Sequence, residues 1–277
     1  MKNTETTVRN FIDVERIIAS KSEKALKYTP NFIIAYLKRI VHQDDINKFL
    51  AEQKDKKGLD FVRATLNEFD IKLNIQGLDY IDREKRYIIA ANHPIGSMDG
   101  IALMDVLGEV REDIIFPVND LLMNIPHLQK LFIPINKHGS NIENARIIDR
   151  TFASEVMMLY FPAGLVSRRK KGVIEDTEWK KTFIRKSRDY KRDIVPTYIE
   201  GRVSSFFYRL ANWRVRLGIK MNIEMLYLAN EMFKQRGKEI KIIFGKPIPH
   251  QTFDRSKKDI EWAAYVKKQV YAINKKD

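Results

Sequence analysis

Residues 87–107 read YIIAANHPIGSMDGIALMDVL, an apolar run followed by a turn rich in glycine and proline and then by a second apolar run. The first run has the composition of a buried β-strand, and the second is typical of a helix. His93 and Asp99 lie in the turn between them. A carboxylate within reach of an imidazole holds its tautomer and supports it as a general base. The turn is therefore a candidate site, with an ordinary polar surface loop as the alternative.

The segments on both sides of this turn continue an alternation of strand and helix. We predict strands at 86–91, 113–117, 131–135, 157–161, 193–199 and 239–244, and a half-buried strand where Ile71, Leu73 and Ile75 alternate with polar residues. We predict helices at 98–108, 141–155, 178–190, 203–217, 222–236 and 257–273. This order is typical of an α/β domain whose central sheet, mostly parallel or mixed, is flanked by helices.

Two local signals refine this prediction. Pro196 lies inside the strand at 193–199, and a proline in a strand indicates an edge position or a bend near a site. Ser256, followed three residues later by Asp259, resembles a capping box at the start of the last helix.

The N-terminal part of the chain has only helical periodicity. Apolar residues recur at helical spacing around Phe11 to Ile18 and around Phe32 to Ile40. We therefore divide the chain into a helical region, 1–69, and an α/β domain, 70–277. The segment with Phe32, Ile33, Tyr36 and Leu37 is flanked by Lys27, Lys38 and Arg39, which is typical of an amphipathic helix at a membrane interface. A helix packed on the α/β core is the alternative.

Charge and composition narrow the classes of function. The net charge is +14, and +10 of it lies between Val166 and Lys220, with 16 Lys and Arg against six Asp and Glu. Such a segment attracts nucleic acid, an anionic membrane, an acidic carrier protein or a phosphorylated substrate. The chain has no cysteine, which excludes disulfides and thiolate chemistry and permits a cytoplasmic location. The five histidines show no metal-binding spacing, so we expect no metal site.

Three further strands end in turns that carry polar or small residues. They read MMLYFPAGLVSRRKK at 157–171, LFIPINKHGS at 131–140 and IVPTYIEG at 194–201. Gly164 allows a ligand to approach the backbone. Arg168 can grip a phosphate or carboxylate through two hydrogen bonds. A solvated basic loop is the alternative for this segment.

Taken in order, these blocks resemble the glycerolipid acyltransferase superfamily of lysophosphatidate acyltransferase-like enzymes. Asn92-His93 with Asp99 resembles its N-H-x4-D motif, the block ending at Lys137 its acceptor-binding strand, and Phe161-Pro162-Ala163-Gly164 with Ser167 its F-P-E-G-x-x-S motif. The blocks at 194–196 and 244–248 resemble its apolar V-P and F-G-x-P-I segments. The form N-H-P-x-G-x-x-D-G resembles a bacterial aminolipid and lysophospholipid subgroup, sometimes labelled hemolysin-like. Five residues instead of four separate His93 from Asp99, Ala163 replaces the glutamate, and Lys137 replaces an arginine.

The resemblance implies transfer of a fatty acyl group from a thioester, of coenzyme A or of acyl carrier protein, to the hydroxyl of a lyso-lipid. It implies His93 as general base, Asp99 as its partner, and no metal or cofactor. Phe161, Pro162, Gly164 and Ser167 would line the substrate site, and Lys137, Arg168 and Arg169 would hold an acidic headgroup. Backbone N–H groups at Gly96 and Ser97, or at Gly164, are the candidates for stabilising the oxyanion.

The acceptor stays open between a lysophosphatidate-type and an N-acyl amino-acid lyso-lipid. We expect the enzyme in the cytoplasm, bound peripherally to the anionic inner face of the cytoplasmic membrane, and no nucleic-acid partner. Two other functions stay open. A basic protein that binds nucleic acid or an anionic surface without catalysis explains the charge but not the His93–Asp99 turn. A lipid hydrolase requires only that water replace the acceptor.

Overall fold

A computed structural model describes residues 11–119, 122–135 and 141–274. Its strands are β1 Lys72–Gln76, β2 Tyr87–Ala91, β3 Ile114–Val118, β4 Phe132–Pro134, β5 Met157–Tyr160, β6 Arg168–Lys170, β7 Val173–Glu175, β8 Asp193–Ile199 and β9 Glu239–Phe244. Its α-helices are α1 Val14–Lys21, α2 Glu23–Tyr28, α3 Asn31–Ile40, α4 Gln43–Glu52, α5 Leu59–Glu68, α6 Ser97–Val110, α7 Asn141–Ala153, α8 Thr182–Asp189, α9 Ser205–Arg216, α10 Leu228–Phe233 and α11 Asp259–Ile273.

A seven-stranded sheet in the order β1-β9-β8-β2-β5-β3-β4 forms the centre of the protein. All its neighbouring pairs are parallel except β8 with β9. The predicted α/β class with a mostly parallel, mixed sheet is thus confirmed. Because β2, β3, β4, β5 and β8 run in the same direction, their carboxyl ends meet at one edge, where α/β proteins commonly bind ligands.

Apolar residues of β2 alternate between the two faces of the sheet. Ile89 packs with helices of the N-terminal region, and Ile88 packs with α8 and α11 on the other face. Phe61 and Val62 of α5 belong to the same buried cluster as Ile89. The boundary between residues 69 and 70 is therefore a change of secondary structure, while residues on both sides share one core.

Two predictions of local structure require correction. Pro196 is not on an edge strand, because β8 lies between β2 and β9. It falls in a gap of the β8–β9 ladder, between the Thr197–Phe244 pair and an isolated Ile194–Ile248 bridge. Because β9 does not pair with β8 at this position, the missing N–H of proline costs no hydrogen bond to β9. Ser256 does not cap the last helix, since its hydroxyl donates to Asp254. The N-terminus of α11 is closed instead by Glu261, which accepts the N–H of Lys258.

Two segments differ in type from the prediction. The basic run after Ser167 forms an antiparallel hairpin, β6 with β7, that we did not predict. The predicted helix at 222–236 is divided into a 3-10 segment, Ile223–Tyr227, and the short α10. Within the described ranges, no helix combines the length and the apolar content needed to cross a bilayer.

Candidate active site

The site lies where β2, β5 and β8 end. Asn92 joins two of these ends, because its side chain donates to Ile199 O at 2.9 Å and accepts from Ile199 N at 2.7 Å. The Asn92 side chain thus makes the two hydrogen bonds that a backbone pair would make between the ends of β2 and β8. These bonds hold the chain in place just before His93. Gly201 follows β8 and packs under the turn, since a Cβ there would lie 2.4 Å from Ile95 Cδ1.

His93 and Asp99 form the hydrogen-bonded pair that the sequence predicts. His93 Nδ1 lies 2.9 Å from Asp99 Oδ2, and the same oxygen accepts the N–H groups of Ile95 and Gly96 at 2.9 and 3.0 Å. Asp99 is fully buried in the first turn of α6. Burial raises the pKa of Asp99 above its usual range, against the opposing effect of His93 and the two N–H groups.

The imidazole is partly exposed, and its plane is set by an aromatic ring. The side chain of His93 is 18% exposed. The ring of Phe161 stacks on it at 4.3 Å between centroids, and Phe116 supports Phe161 from the side. Among the described residues Nε2 has no hydrogen-bond partner, and it is the nitrogen available to a substrate. Phe161 therefore lies against the His93 ring, and Pro162, which follows it, is buried.

The main chain of His93 is held from both sides by groups outside its own turn. Ser167 N–H donates to His93 O at 2.8 Å. His93 N–H donates to Asp176 Oδ1 at 3.1 Å, and Ser167 Oγ donates to the same oxygen at 2.6 Å. Ser167 is buried, so the substrate-binding role predicted for it does not fit its placement. Its hydroxyl supports His93 through Asp176.

Arg168 also differs from the prediction. Its guanidinium is buried and donates to Glu224 at 2.8 Å and to Val166 O at 2.7 Å. Arg214 pairs with the other carboxylate oxygen of Glu224 at 2.9 Å. Arg168 is therefore committed to a buried ion pair that fixes the 3-10 segment to β6. It cannot hold a headgroup without breaking that pair.

Other cations near the turn remain accessible. Arg169 is half-buried, with its guanidinium carbon 5.5 Å from the centre of the Tyr208 ring. A Cβ at Gly164 would lie 3.2 Å from Lys180 Nζ, so this exposed lysine covers the turn after β5. Neither cation has an ion-pair partner in the described ranges. Lys137, the third predicted headgroup residue, lies outside the described residues.

The candidate oxyanion donors are not equivalent. Gly96 N–H is occupied by Asp99, and Gly164 N–H donates to Phe161 O at 3.0 Å. Ser97 N–H, at the exposed start of α6, has no acceptor in the described part of the chain. It lies at the positive end of the helix dipole, where negative charge is stabilised.

Asp176 and Lys180 were not predicted from the sequence. Asp176 lies 83 positions from His93 and Lys180 lies 16 positions from Gly164, and neither belongs to a recognised motif. Only the return of the β6–β7 hairpin and the following loop to the strand ends brings them to the site. The sequence offers only a weak indication of this role, an aspartate three positions before a tryptophan, Asp176 and Trp179. Such a pair occurs in many surface loops.

The chain is similar to known acyltransferases. The model of a family described as "Acyltransferase" matches residues 16–277. The lyso-glycine lipid O-acyltransferase of Bacteroides thetaiotaomicron is 51% identical over 265 residues, which cover 95% of this chain and 97% of that protein. The lyso-glycine lipid O-acyltransferase of Phocaeicola vulgatus is 48% identical, covering 95% of each.

Among solved structures, the 1-acyl-sn-glycerophosphate (LPA) acyltransferase PlsC of Thermotoga maritima aligns with a TM-score of 0.49 and 17% identity, over 95% of this chain and 88% of that one. The family match spans nearly the whole chain and includes most of the N-terminal helices. Together with the His93–Asp99 turn, it shows that this chain is an enzyme of the acyltransferase family, within the glycerolipid acyltransferase superfamily.

Proposed function

We propose that the protein transfers a fatty acyl group from a thioester directly to the hydroxyl of a lyso-lipid, with His93 as general base. The observation that carries this proposal is the 2.9 Å contact of His93 Nδ1 with a buried Asp99, which leaves Nε2 for the substrate. Nε2 of His93 takes the proton of the acceptor hydroxyl while the hydroxyl oxygen attacks the thioester carbonyl. The carbon–sulfur bond then breaks, and the imidazolium returns the proton to the thiolate. Asp99 stabilises the imidazolium throughout.

The oxyanion formed by this attack needs a fixed donor. We propose Ser97 N–H for this role, because its neighbour Gly96 N–H is already used by Asp99. A backbone donor at a helix N-terminus requires no reorganisation as charge develops, which is the condition for efficient transition-state stabilisation. The thioester is a substrate, of coenzyme A or of acyl carrier protein, and we propose that no metal or other cofactor takes part.

We propose a lyso-glycine lipid as the acceptor. Two relatives that share about half of this sequence carry that name. A lyso-lipid of this class is an N-acyl amino acid with a free hydroxyl and a free carboxylate. Arg169 and Lys180 would bind the carboxylate as accessible cations beside the turn that carries His93.

The acceptor proposal is tested with purified protein, one acyl thioester and two acceptors, a lyso-glycine lipid and lysophosphatidic acid. We expect diacyl product from the first and at least tenfold less from the second. Equal use of both, or preference for the phosphate, would contradict the proposal. Free fatty acid in place of ester product would instead identify a hydrolase. Running acyl-coenzyme A and acyl-carrier-protein in parallel identifies the donor.

We further propose that the enzyme works on an anionic membrane surface, at the inner face of the cytoplasmic membrane. In α3, Phe32 is 74% exposed, although Ile34 and Ile40 of the same helix are buried. The end of α9 and the loop after it expose more apolar side chains, among them Trp213, Val215, Leu217 and Met221. We call these two groups together the apolar face.

The apolar face adjoins the active site through a continuous set of contacts. Tyr36 of α3 shares a hydrogen bond of 2.6 Å with Tyr227. Leu228 follows Tyr227, and its side chain would lie 3.3 Å from a Cβ at Gly96. Glu224 in the same segment is held by Arg168 and Arg214. A lipid entering beside these residues would have a short path to His93.

Cations accompany the exposed apolar residues of α9. Arg209, Arg216 and Lys220 are exposed. Each basic residue near an anionic bilayer contributes on the order of 1 kcal/mol, and salt weakens this contribution. Apolar side chains that enter the interface add a term that salt does not remove.

Vesicle co-sedimentation tests this surface. We expect binding to phosphatidylglycerol-containing vesicles, weaker binding to neutral ones, and reduced binding at high salt. Val215→Glu and Leu217→Glu should each weaken binding. Tyr80→Glu is the matched control, because Tyr80 is also partly exposed but follows β1, whose carboxyl end lies at the opposite edge of the sheet. Equal losses in all three variants would contradict the assignment of this face, and binding insensitive to lipid charge would contradict its electrostatic basis.

A further inference from the structure

Asp176 is a buried carboxylate that none of the steps above uses. It is 3% exposed and lies just after β7. Its Oδ1 accepts the N–H of His93 at 3.1 Å and the hydroxyl of Ser167 at 2.6 Å, and its Oδ2 accepts the indole N–H of Trp179 at 2.8 Å. A buried charge with three donors is well compensated, and such an arrangement also fixes every group that donates to it.

The backbone of Asp176 is fixed as well. Asp176 N–H donates to the hydroxyl of Tyr271 at 2.7 Å, and Lys267 Nζ donates to Asp176 O at 2.5 Å. Both partners belong to α11, a 15-residue helix that packs on the sheet. Asp176 thus connects a rigid helix to the loop of the catalytic histidine, and this link is independent of Asp99.

We propose that Asp176 is a positioning residue for His93, holding its main chain in place with a second carboxylate that lies 3.1 Å from the His93 main-chain nitrogen. This inference rests on the proposed role of His93 as base. Positioning fixes Nε2 relative to the acceptor hydroxyl, and a displacement of about 1 Å can cost about 10²-fold in rate. The negative charge favours the imidazolium that forms as the hydroxyl loses its proton.

Other charged and titratable groups surround this cluster. They are Asp99 of α6, Glu175 of β7, Tyr208 of α9, and Lys267 and Tyr271 of α11. Of the two carboxylates in the β7 segment, only Asp176 contacts His93. Glu175 faces Lys267 at 3.6 Å with half of its side chain exposed, which makes Glu175→Gln a matched control for loss of one negative charge.

The test compares Asp176→Asn with Glu175→Gln by steady-state kinetics across pH, with His93→Ala as reference. We expect Asp176→Asn to lower kcat about tenfold, with little change in the KM of the acceptor. The acidic limb of its kcat/KM profile should move to lower pH by about half a unit, because a nearby negative charge that favours the imidazolium is lost. Glu175→Gln should match the wild type in both measurements.

A second pair of variants keeps the test informative if Asp176→Asn alone fails to fold. In Asp176→Asn the new amide opposes the indole N–H of Trp179, so we also compare the double variant Asp176→Asn, Trp179→Phe with Trp179→Phe alone. The same loss of kcat and shift of the limb are expected. Loss of kcat without a shift of the limb would reduce Asp176 to a packing residue and overturn the proposal, as would wild-type kinetics. Full activity of His93→Ala would show instead that the base itself is wrongly assigned.

Discussion

Asp99 Oδ2 accepts three hydrogen bonds, one from His93 Nδ1 at 2.9 Å and two from the main-chain N–H groups of Ile95 and Gly96. One oxygen therefore shapes the turn that carries His93 and orients its imidazole at the same time. Asp99 Oδ1 is buried, and within the described ranges it has no hydrogen-bond partner. A buried polar atom without a partner costs stability, so the geometry that Oδ2 imposes on the turn is held at a cost to the fold.

His93→Ala should lower kcat by about 10²- to 10⁴-fold, the usual contribution of a general base. The variant should still fold, because the ring is partly exposed, but its melting temperature should drop, because the buried Asp99 loses its imidazole partner. Steady-state turnover and a thermal melt check both statements. His250→Ala is a suitable control, since His250 pairs with Asp193 at the other end of β8. Wild-type turnover in a folded His93→Ala protein would contradict the mechanism.

Asp99→Asn should lower activity by about 10²-fold or more, because the imidazolium loses its charged partner. The variant should also change how stability depends on pH. The pKa of Asp99 is raised in the folded state by burial, so its contribution to stability is present below the unfolded pKa of about 3.9 and is lost as pH rises through the folded pKa.

Chemical denaturation at several pH values measures this effect. The wild type should lose unfolding free energy relative to Asp99→Asn as pH rises from about 4. If the difference in unfolding free energy between the two proteins stayed constant with pH, burial would not raise the pKa of Asp99. Glu175→Gln, at an exposed carboxylate, should show no comparable trend.

Arg168→Ala should destabilise the protein by about 3 kcal/mol, since it leaves Glu224 buried with only one of its two cationic partners. Urea unfolding measures the loss. Arg169→Ala is the matched comparison: its stability should be close to wild type, and the KM of the acceptor should rise because a cation proposed to bind the headgroup is removed. If Arg168→Ala instead raised the KM of the acceptor without lowering the unfolding free energy, Arg168 would be a headgroup-binding residue after all.

Gly201→Ala should lower kcat, because the new Cβ would lie 2.4 Å from Ile95 Cδ1 and must displace the turn that carries His93. A displacement of this kind can cost about 10²-fold. Shortening the opposing side chain in Gly201→Ala, Ile95→Ala should recover part of the activity. Gly172→Ala, where a Cβ meets no atom within 4 Å, controls for loss of glycine in a loop. No recovery in the double variant would show that the contact with Ile95 is not the cause.

The class of the fold and the His93–Asp99 pair could both be predicted from the sequence. The apolar runs of β2, β5 and β8 are buried on both faces of the sheet, so their composition is that of interior strands and their positions can be read directly. His93 and Asp99 are six residues apart across one turn, and local geometry alone brings them together.

Residues whose partners are distant along the chain could be understood only once the fold had brought those partners together. From the sequence alone, Arg168 is predicted to be an exposed basic residue. In the fold it pairs with Glu224, which lies 56 positions later in the chain. Asp176 carries no motif, and its contact with His93 spans 83 positions. Pro196 is compatible with an interior strand only because the β8–β9 ladder has a gap there. Periodicity and local motifs report what a residue does within its own element, whereas burial of a charge depends on which elements pack around it.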